Sequence, residues 1–485
     1  MIDIVLINPP LDKKTTSKFP MSGVPLGIAH LTAYIQKKGM KVVAIDAPIE
    51  GFNHESLAKE IGKISPLIVG VSCLTENRYS ALKTLEIIKK NYPRIITILG
   101  GLHPTFTDKL ILQNYDFVDF IVRNEGEETL YELMKAIKSK KSTDKILGIS
   151  FKRNGEIMQN AQRPFIKDIN KLPSPAYGSF PIKKYPLPPD VEEGIKQTIL
   201  FTTSRGCPMG CKFCETTIAW GRTLRGMTAK RIFEEIRYLN KKYGVDYIRF
   251  ADDLFTLDRQ KVIDFCKLII KNKIRIKFRI QARVDTVSAE MLSYLKKAGC
   301  DLIEYGAESG SEKVLKAIGK NITVKKIKEA TELTKKAGIE AKFFLIVGAL
   351  EEDARETWKT FQLIKDAKPD YIGINPLTIY PGTFVYDEAI KKKIIKPDIW
   401  LHYINKKTGN SPLYTEFYNG AEMLFLSELG HVWACKNSRF RNKYSLLERI
   451  LAIILTEQLL KFLIFVKPFR KIAAQFARLI NPFLP

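Results

Sequence analysis

The feature that most constrains this chain is a repeated alternation of short, β-branched apolar runs with stretches of helical periodicity. The first set of runs is Ile2–Asn8, Lys41–Asp46, Leu67–Cys73, Ile95–Leu99 and Phe117–Val122. Helical patterns lie between and after them, at Leu26–Lys38, His54–Ile64, Arg78–Asn91, Phe106–Gln113 and Glu127–Ser139. Parallel strands need crossover helices, so this order predicts an α/β fold, a doubly wound Rossmann-like domain over residues 1–142. Ligands of such sheets sit beyond the carboxyl ends of the strands. Residues 143–195 read as a connector. It opens with a hairpin (Ile146–Phe151 and Glu156–Gln159, turning at Asn154-Gly155) and continues as a Pro-rich ordered linker. Over 196–388 the alternation resumes with strands at Gln197–Thr203, Tyr247–Ala251, Lys277–Ala282, Leu302–Gly306, Lys342–Val347 and Tyr371–Asn375. Six such units predict a partial (β/α)6 barrel rather than a closed eight-stranded one. The pattern degrades over 389–485, read as a helical region with basic amphipathic helices.

At 485 residues, 45% hydrophobic and 27% charged, the chain is too long for one core and too apolar for disorder. Seven cysteines make no disulfide framework, and no leader pattern precedes the first strand, so a cytoplasmic, reducing compartment is expected. The formal charge of +26 asks for an acidic partner (nucleic acid, an anionic membrane or a phosphorylated substrate) unless it reflects Lys scattered along the whole chain. Residues 441–485 carry eight Lys or Arg against two acidic residues, around the apolar stretch 445–466. That mixture suits an interfacial helix on the inner face of an anionic membrane, or a helix packed across the open side of the barrel.

Three of the cysteines fall in one loop, Cys207-Pro-Met-Gly-Cys211-Lys-Phe213-Cys214, directly after the first strand of the second set. Three thiolates can hold three irons of a cubane and leave the fourth open. A structural zinc site normally takes four ligands, and no His or fourth Cys lies near the loop.

This C-x3-C-x2-C loop, with Phe213 before its third Cys, resembles the signature of the radical S-adenosylmethionine superfamily. The resemblance runs through residues 197–385. It implies a [4Fe–4S] cluster on Cys207, Cys211 and Cys214, and S-adenosylmethionine beside it. By the same resemblance, Asp252 and Asp253 receive the cofactor's ammonium, unless they only cap the following helix. Arg283 faces its carboxylate, or is a surface residue. Glu308 and Ser309, in Tyr305-Gly306-Ala307-Glu308-Ser309-Gly310, meet its ribose. Val347-Gly348-Ala349-Leu350-Glu351 lies near the adenine, and Tyr380-Pro381-Gly382-Thr383 matches a segment of one branch of the superfamily.

Residues 1–140 are similar to the cobalamin-binding domain fused to many of these enzymes. The matching pieces are Pro25-Leu26-Gly27, Val69-Gly70-Val71-Ser72, Leu99-Gly100-Gly101-Leu102-His103-Pro104-Thr105 and Arg123-Asn124-Glu125-Gly126-Glu127. The resemblance makes Ser72, Leu74, Thr75, Gly100, Gly101, Glu125 and Gly126 the candidate cobalamin contacts. One departure is plain. Where related domains place a cobalt-ligating His in Asp-x-His-x-x-Gly, this chain has Asp46-Ala47-Pro48-Ile49-Glu50-Gly51. The domain therefore either binds cobalamin without that ligand or serves as a scaffold. His103 precedes a Pro and reads as a capping side chain.

The resemblance implies a cobalamin-dependent methylase acting on an unactivated carbon, fed electrons by a flavodoxin- or ferredoxin-type protein, and the tail, as a membrane-surface helix, points to an apolar, lipid-like substrate. A cyclase or coupling enzyme of the same architecture is the rival. A tRNA-modifying role, suggested by charge alone, ranks last because no appended RNA-binding barrel or basic-aromatic platform is present.

Overall fold

The computed structural model describes residues 2–11, 23–188, 191, 194–401, 412–437 and 445–472. The N-terminal sheet contains β1 (Ile4–Asn8), β2 (Val42–Asp46), β3 (Ile68–Ser72), β4 (Ile96–Gly100), β5 (Phe120–Val122), β6 (Ile149–Arg153) and β7 (Glu156–Gln159). Their order across the sheet is β2-β1-β3-β4-β5-β6-β7. The first five run parallel and the last two antiparallel. The direction of strand addition reverses between β1 and β3, the topological switch point where α/β sheets bind ligands. Alternation along each strand divides its side chains between two cores. Ile4 and Leu6 face the core shared with the barrel, whereas Val5 and Ile7 face the opposite layer of helices.

The hairpin expected at the start of the connector forms, but it belongs to this sheet: β6 pairs with β5, so the sheet does not end at residue 142. The Phe106–Gln113 helix is likewise longer than its periodicity suggests, running Leu102–Asn114 with a non-helical residue at Thr107. Proline at 104 is tolerated because it lies in the first turn. The Pro-rich stretch after β7 is a packed strap. Its Ile169, Leu172, Tyr177, Phe180, Ile182 and Tyr185 enter the core that joins the two halves. The Tyr185 hydroxyl donates to Asp46 at 2.6 Å, and Asn8 donates to the same carboxylate at 2.8 Å.

The second sheet contains β8 (Thr198–Phe201), β11 (Tyr247–Phe250), β12 (Lys277–Ala282), β13 (Cys300–Glu308), β14 (Glu340–Val347) and β15 (Tyr371–Pro376). They are all parallel, in the order β15-β14-β13-β12-β11-β8. This is the six-stranded open barrel that the spacing predicts. Between β8 and β11 a two-stranded ribbon, β9 (Ser204–Arg205) with β10 (Arg225–Gly226), brackets the cysteine loop.

Ahead of the 441–485 stretch, one C-terminal helix packs on the barrel. Gly420–Asn437 packs along β15 and the helix Ala354–Ala367, its Trp433 indole donating to the Phe361 carbonyl at 2.9 Å. Beyond it, Leu446–Ile454 and Glu457–Phe465 leave large apolar side chains in solvent, Leu446, Ile453, Phe462 and Phe465 among them. Residues 441–444 and 473–485 of the predicted interfacial stretch lie outside the described residues. Among the described residues no helix is long and apolar enough to cross a membrane.

Candidate active site at the seam of the two domains

The cysteine loop is held by backbone that only glycine can supply. Gly206 has φ +88°, and a Cβ there would meet the Thr223 carbonyl oxygen at 2.3 Å. The Cys207 amide donates to the Gly221 carbonyl at 3.1 Å, and the Lys212 amide to the Ile318 carbonyl at 2.9 Å. Cys207, Cys211 and Cys214 are free, half-buried thiols on this frame, and Phe213 between them is packed against the core. Among the described residues, no three His, Cys, Asp or Glu side chains converge closely enough to hold one metal ion. A cubane asks for something else: one thiolate on each of three irons. Three thiols with no fourth ligand fit that demand and not tetrahedral zinc.

Around the loop, the strand ends divide the expected contacts into two groups. Asp253 is exposed, accepts from the Thr216 hydroxyl at 3.1 Å, and lies within electrostatic reach of Cys207 and Cys214. Asp252 turns the other way. It is 1% exposed and accepts from the Thr203 amide at 2.9 Å, the Thr203 hydroxyl at 2.8 Å and the Ser204 hydroxyl. Its carboxylate therefore fastens the strand entering the cysteine loop instead of opening toward a ligand. Neither residue caps the following helix, whose N-cap is Asp258.

Arg283 is buried, not a surface residue. Its guanidinium makes a two-pronged pair with Asp285 at 2.9 Å and donates to the Lys320 carbonyl. Glu308 sits in the left-handed region at φ +60° and pairs with buried Lys320 at 2.7 Å. Arg283 and Lys320 both lie close enough to Cys211 to favour its thiolate, against the burial that pushes the thiol up. Ser309 is 0% exposed; its hydroxyl shares a hydrogen bond with Thr360 and accepts from the Ser311 amide. It stitches β13 to the neighbouring helix and does not reach the cysteines' side. Lys320 belongs to no motif and was not predicted; only the fold brings it beside Glu308.

A cavity of about 280 Å³ opens where the two halves meet. From the N-terminal domain it is lined by Ser72, Leu74, Gly100, Gly101, Asn124, Glu125 and Gly126 at strand exits, and by Pro25, Gly27 and His30. From the barrel side it is lined by Arg205, Ala219 and Trp220, which flank the cysteine loop. Six of the seven expected cobalamin contacts thus share one wall. The seventh, Thr75, is 2% exposed and bonds His103 Nδ1 at 3.2 Å, away from the cavity. Gly101, at φ +115°, lets the chain pass so close that a Cβ would lie 2.4 Å from the Cys73 carbonyl oxygen.

The cavity floor is tied to the cysteine loop by charge. Glu125 accepts from Arg205 at 3.0 Å, Arg225 at 2.7 Å and the Ile166 amide at 2.6 Å. Glu127 accepts from Arg205 at 2.6 Å, and Trp220 stacks over the same guanidinium at 5.5 Å. Burial alone would raise the Glu127 carboxyl, but Arg205 brings it below the ordinary range. His30 reaches the cavity from the helix Leu26–Lys37. Burial and then Arg205 lower its imidazole to about 4, so it is neutral at pH 7. Where related domains place a cobalt-ligating His, Pro48 lies in the short helix Ala47–Glu50. On the barrel side, Tyr380 donates to Glu76 at 2.9 Å, and Gly382 at φ +78° lets the Phe106 ring approach.

Residues 201–364 match the model of the radical S-adenosylmethionine superfamily, and residues 13–134 match that of the B12 binding domain. An uncharacterised methyltransferase of Pyrococcus horikoshii is 32% identical over 83% of this chain and 86% of its own. An anaerobic magnesium-protoporphyrin IX monomethyl ester cyclase of Cereibacter sphaeroides is 31% identical over 75% of this chain and 60% of its own. The solved structure of the cobalamin-dependent S-adenosylmethionine radical enzyme OxsB, with aqua-cobalamin and S-adenosylmethionine bound, superposes with a TM-score of 0.68. It shares 21% identity, covering 99% of this chain and 72% of that one. The three-thiol loop and the glycine-lined cavity at the switch point fit the groups these matches imply: a [4Fe–4S] cluster with S-adenosylmethionine, and cobalamin. The chain belongs to the cobalamin-binding radical S-adenosylmethionine enzymes, a family of methyltransferases and cyclases.

Proposed function

We propose that this enzyme methylates an unactivated carbon of an apolar substrate. The observation that carries the reading is the cavity shared by the strand exits of the N-terminal sheet and the flank of the cysteine loop. When bound, the cluster with S-adenosylmethionine supplies a carbon radical, and cobalamin supplies the methyl group. The chain's own residues set the stage. Asp253 offers an open carboxylate for an ammonium, and Arg283 and Lys320 supply buried positive charge for a carboxylate on the same side of the loop. Glu308, held by Lys320, is the acceptor for ribose hydroxyls. Arg205 and Trp220 close the cavity toward the cysteine loop, and neutral His30 adds no further charge to its wall. Electrons come from a flavodoxin- or ferredoxin-type donor.

Methylation is favoured over cyclisation because the Pyrococcus methyltransferase is matched over 86% of its length and the cyclase over 60%. The apolar substrate is supported by the apolar side chains left outward on the last helices. The test is anaerobic turnover of reconstituted enzyme with methyl-labelled S-adenosylmethionine, cobalamin, reductant and a cell lipid extract. A lipid that gains the labelled methyl group supports the proposal. A product that loses hydrogen without gaining label establishes the cyclase reading instead.

A further inference from the structure

The helix Leu446–Ile454 is built inside out. At 100° per residue, Leu446, Leu447, Ile450, Leu451, Ile453 and Ile454 share one arc, and Glu448 and Ala452 lie opposite. A helix on a globular protein turns its apolar arc to the core. Here the whole arc is in solvent: Ile453 is 78% exposed, Leu446 66% and Ile454 61%, while Ala452, at 5%, is the buried side chain. The next helix, Glu457–Phe465, buries Leu460 and Ile464 and leaves Leu459, Phe462 and Phe465 outward. Phe462 packs against exposed Phe469 at 4.7 Å.

These helices are fixed in place. Ser445 and Glu448 form a capping box, Lys365 of the barrel pairs with Glu457 at 2.7 Å, and buried Arg470 donates to Glu422 at 2.9 Å. The exposed apolar surface of these helices is therefore a held feature that needs a partner.

Charge selects the partner. Arg449, Lys461, Lys467 and Lys471 are exposed around these side chains. The two acidic residues of the segment are spent, Glu448 on its cap and Glu457 on Lys365 and Lys461. A second copy of a chain with charge +26 is repelled, whereas an anionic lipid surface is attracted. A helix of nine residues is about 13 Å long and cannot cross a bilayer core of roughly 30 Å.

We propose that Leu446–Ile454 and Glu457–Phe465 dock this enzyme on an anionic bilayer, lying in the headgroup layer. The proposal stands on these helices and not on the reaction above, so vesicle binding and turnover fail separately.

The test is sedimentation of full-length, cluster-loaded protein with phosphatidylglycerol–phosphatidylcholine vesicles, against phosphatidylcholine alone, at low and high salt. Wild type is expected to bind the anionic vesicles and to release as salt rises. Leu447→Ser/Ile450→Ser/Ile453→Ser/Ile454→Ser is expected to weaken binding at least roughly tenfold while keeping iron content and melting temperature, since these side chains touch solvent. Arg449→Gln/Lys467→Gln/Lys471→Gln is expected to lose roughly a hundredfold, at about fivefold per charge, on anionic vesicles only. Wild type that stays in the supernatant with anionic vesicles at low salt overturns the proposal. So does equal binding to neutral vesicles, and so does a lipid-free dimer that the serine variant disperses, which would make a second copy the occupant.

Discussion

Replacing Glu125 by Gln tests whether the ionic hub beneath the cavity holds the two halves together. Glu125 is 5% exposed and faces two guanidiniums. Arg205 keeps Glu127 after the change, but Arg225, 9% exposed, keeps the Ile166 and Trp220 carbonyls and the Phe165 ring face and has no anion left. Removing one partner of a buried ion pair costs about 3–5 kcal/mol, because a charge is left without compensation. The amide oxygen of Gln still accepts one hydrogen bond, worth about 1 kcal/mol. A net loss of about 2–4 kcal/mol is expected. Urea is the suitable denaturant, since guanidinium would screen the interaction under study. With two halves, unfolding need not be two-state, so the first transition is the one to read, alongside hydrogen exchange at the Ile166 amide. Glu127→Gln, which leaves Arg205 with Glu125, should lose less. Glu125→Gln/Arg225→Met should recover part of the loss, because no orphan guanidinium remains at 225. If Glu125→Gln lies within about 0.5 kcal/mol of wild type, the hub is solvated in solution and the reasoning is wrong.

Other outcomes follow from the same geometry. Asp253→Asn should retain iron and weaken S-adenosylmethionine binding by about 1.5–3 kcal/mol, the strength of a charged hydrogen bond; an unchanged titration isotherm would remove Asp253 from the site. Asp252→Ala should instead lower the melting temperature and cluster yield, because Thr203 and Ser204 lose their acceptor, and full iron loading at wild-type stability would contradict that. Gly101→Ala should cost more than about 1 kcal/mol and impair cobalamin uptake, since the residue is at φ +115° with no room for a Cβ; wild-type uptake would show that the loop yields. Burial pushes the Glu352 carboxyl up to about 7. A carboxyl raised on folding penalises the folded state as pH climbs from the unfolded value near 4.5 through 7, and not below. Glu352→Gln should thus stabilise by about 1–3 kcal/mol at pH 8 and by less than about 1 kcal/mol at pH 5, and denaturation curves at both values check it.

Periodicity and short-range chemistry determined most of the architecture. Alternating strand and helix specify parallel sheets because crossovers demand it, and the six-unit spacing specified an open barrel. The cysteine loop was legible because its three thiols are close in sequence and their ligand count is itself a chemical statement. The glycine at 101 was legible because the close backbone approach there has no substitute. The directions in which neighbouring side chains point were not legible. Asp252 and Asp253 are adjacent, yet one fastens a strand and the other opens beside the cysteines, since successive residues at a strand exit face opposite sides. Ser309 and Thr75 were expected at the cofactors and are spent on Thr360 and His103. Lys320 and His30 reach the site from distant segments, and no local pattern encodes such a meeting; Arg205 stands beside the loop in sequence, but only the fold sets it against Glu125 and Glu127. The tail shows the same division. Its composition announced an apolar, basic helix, but whether the apolar arc faces core or solvent depends on what the rest of the chain leaves uncovered. The helix Gly420–Asn437 already covers β15, and so the arc of Leu446–Ile454 is left turned outward.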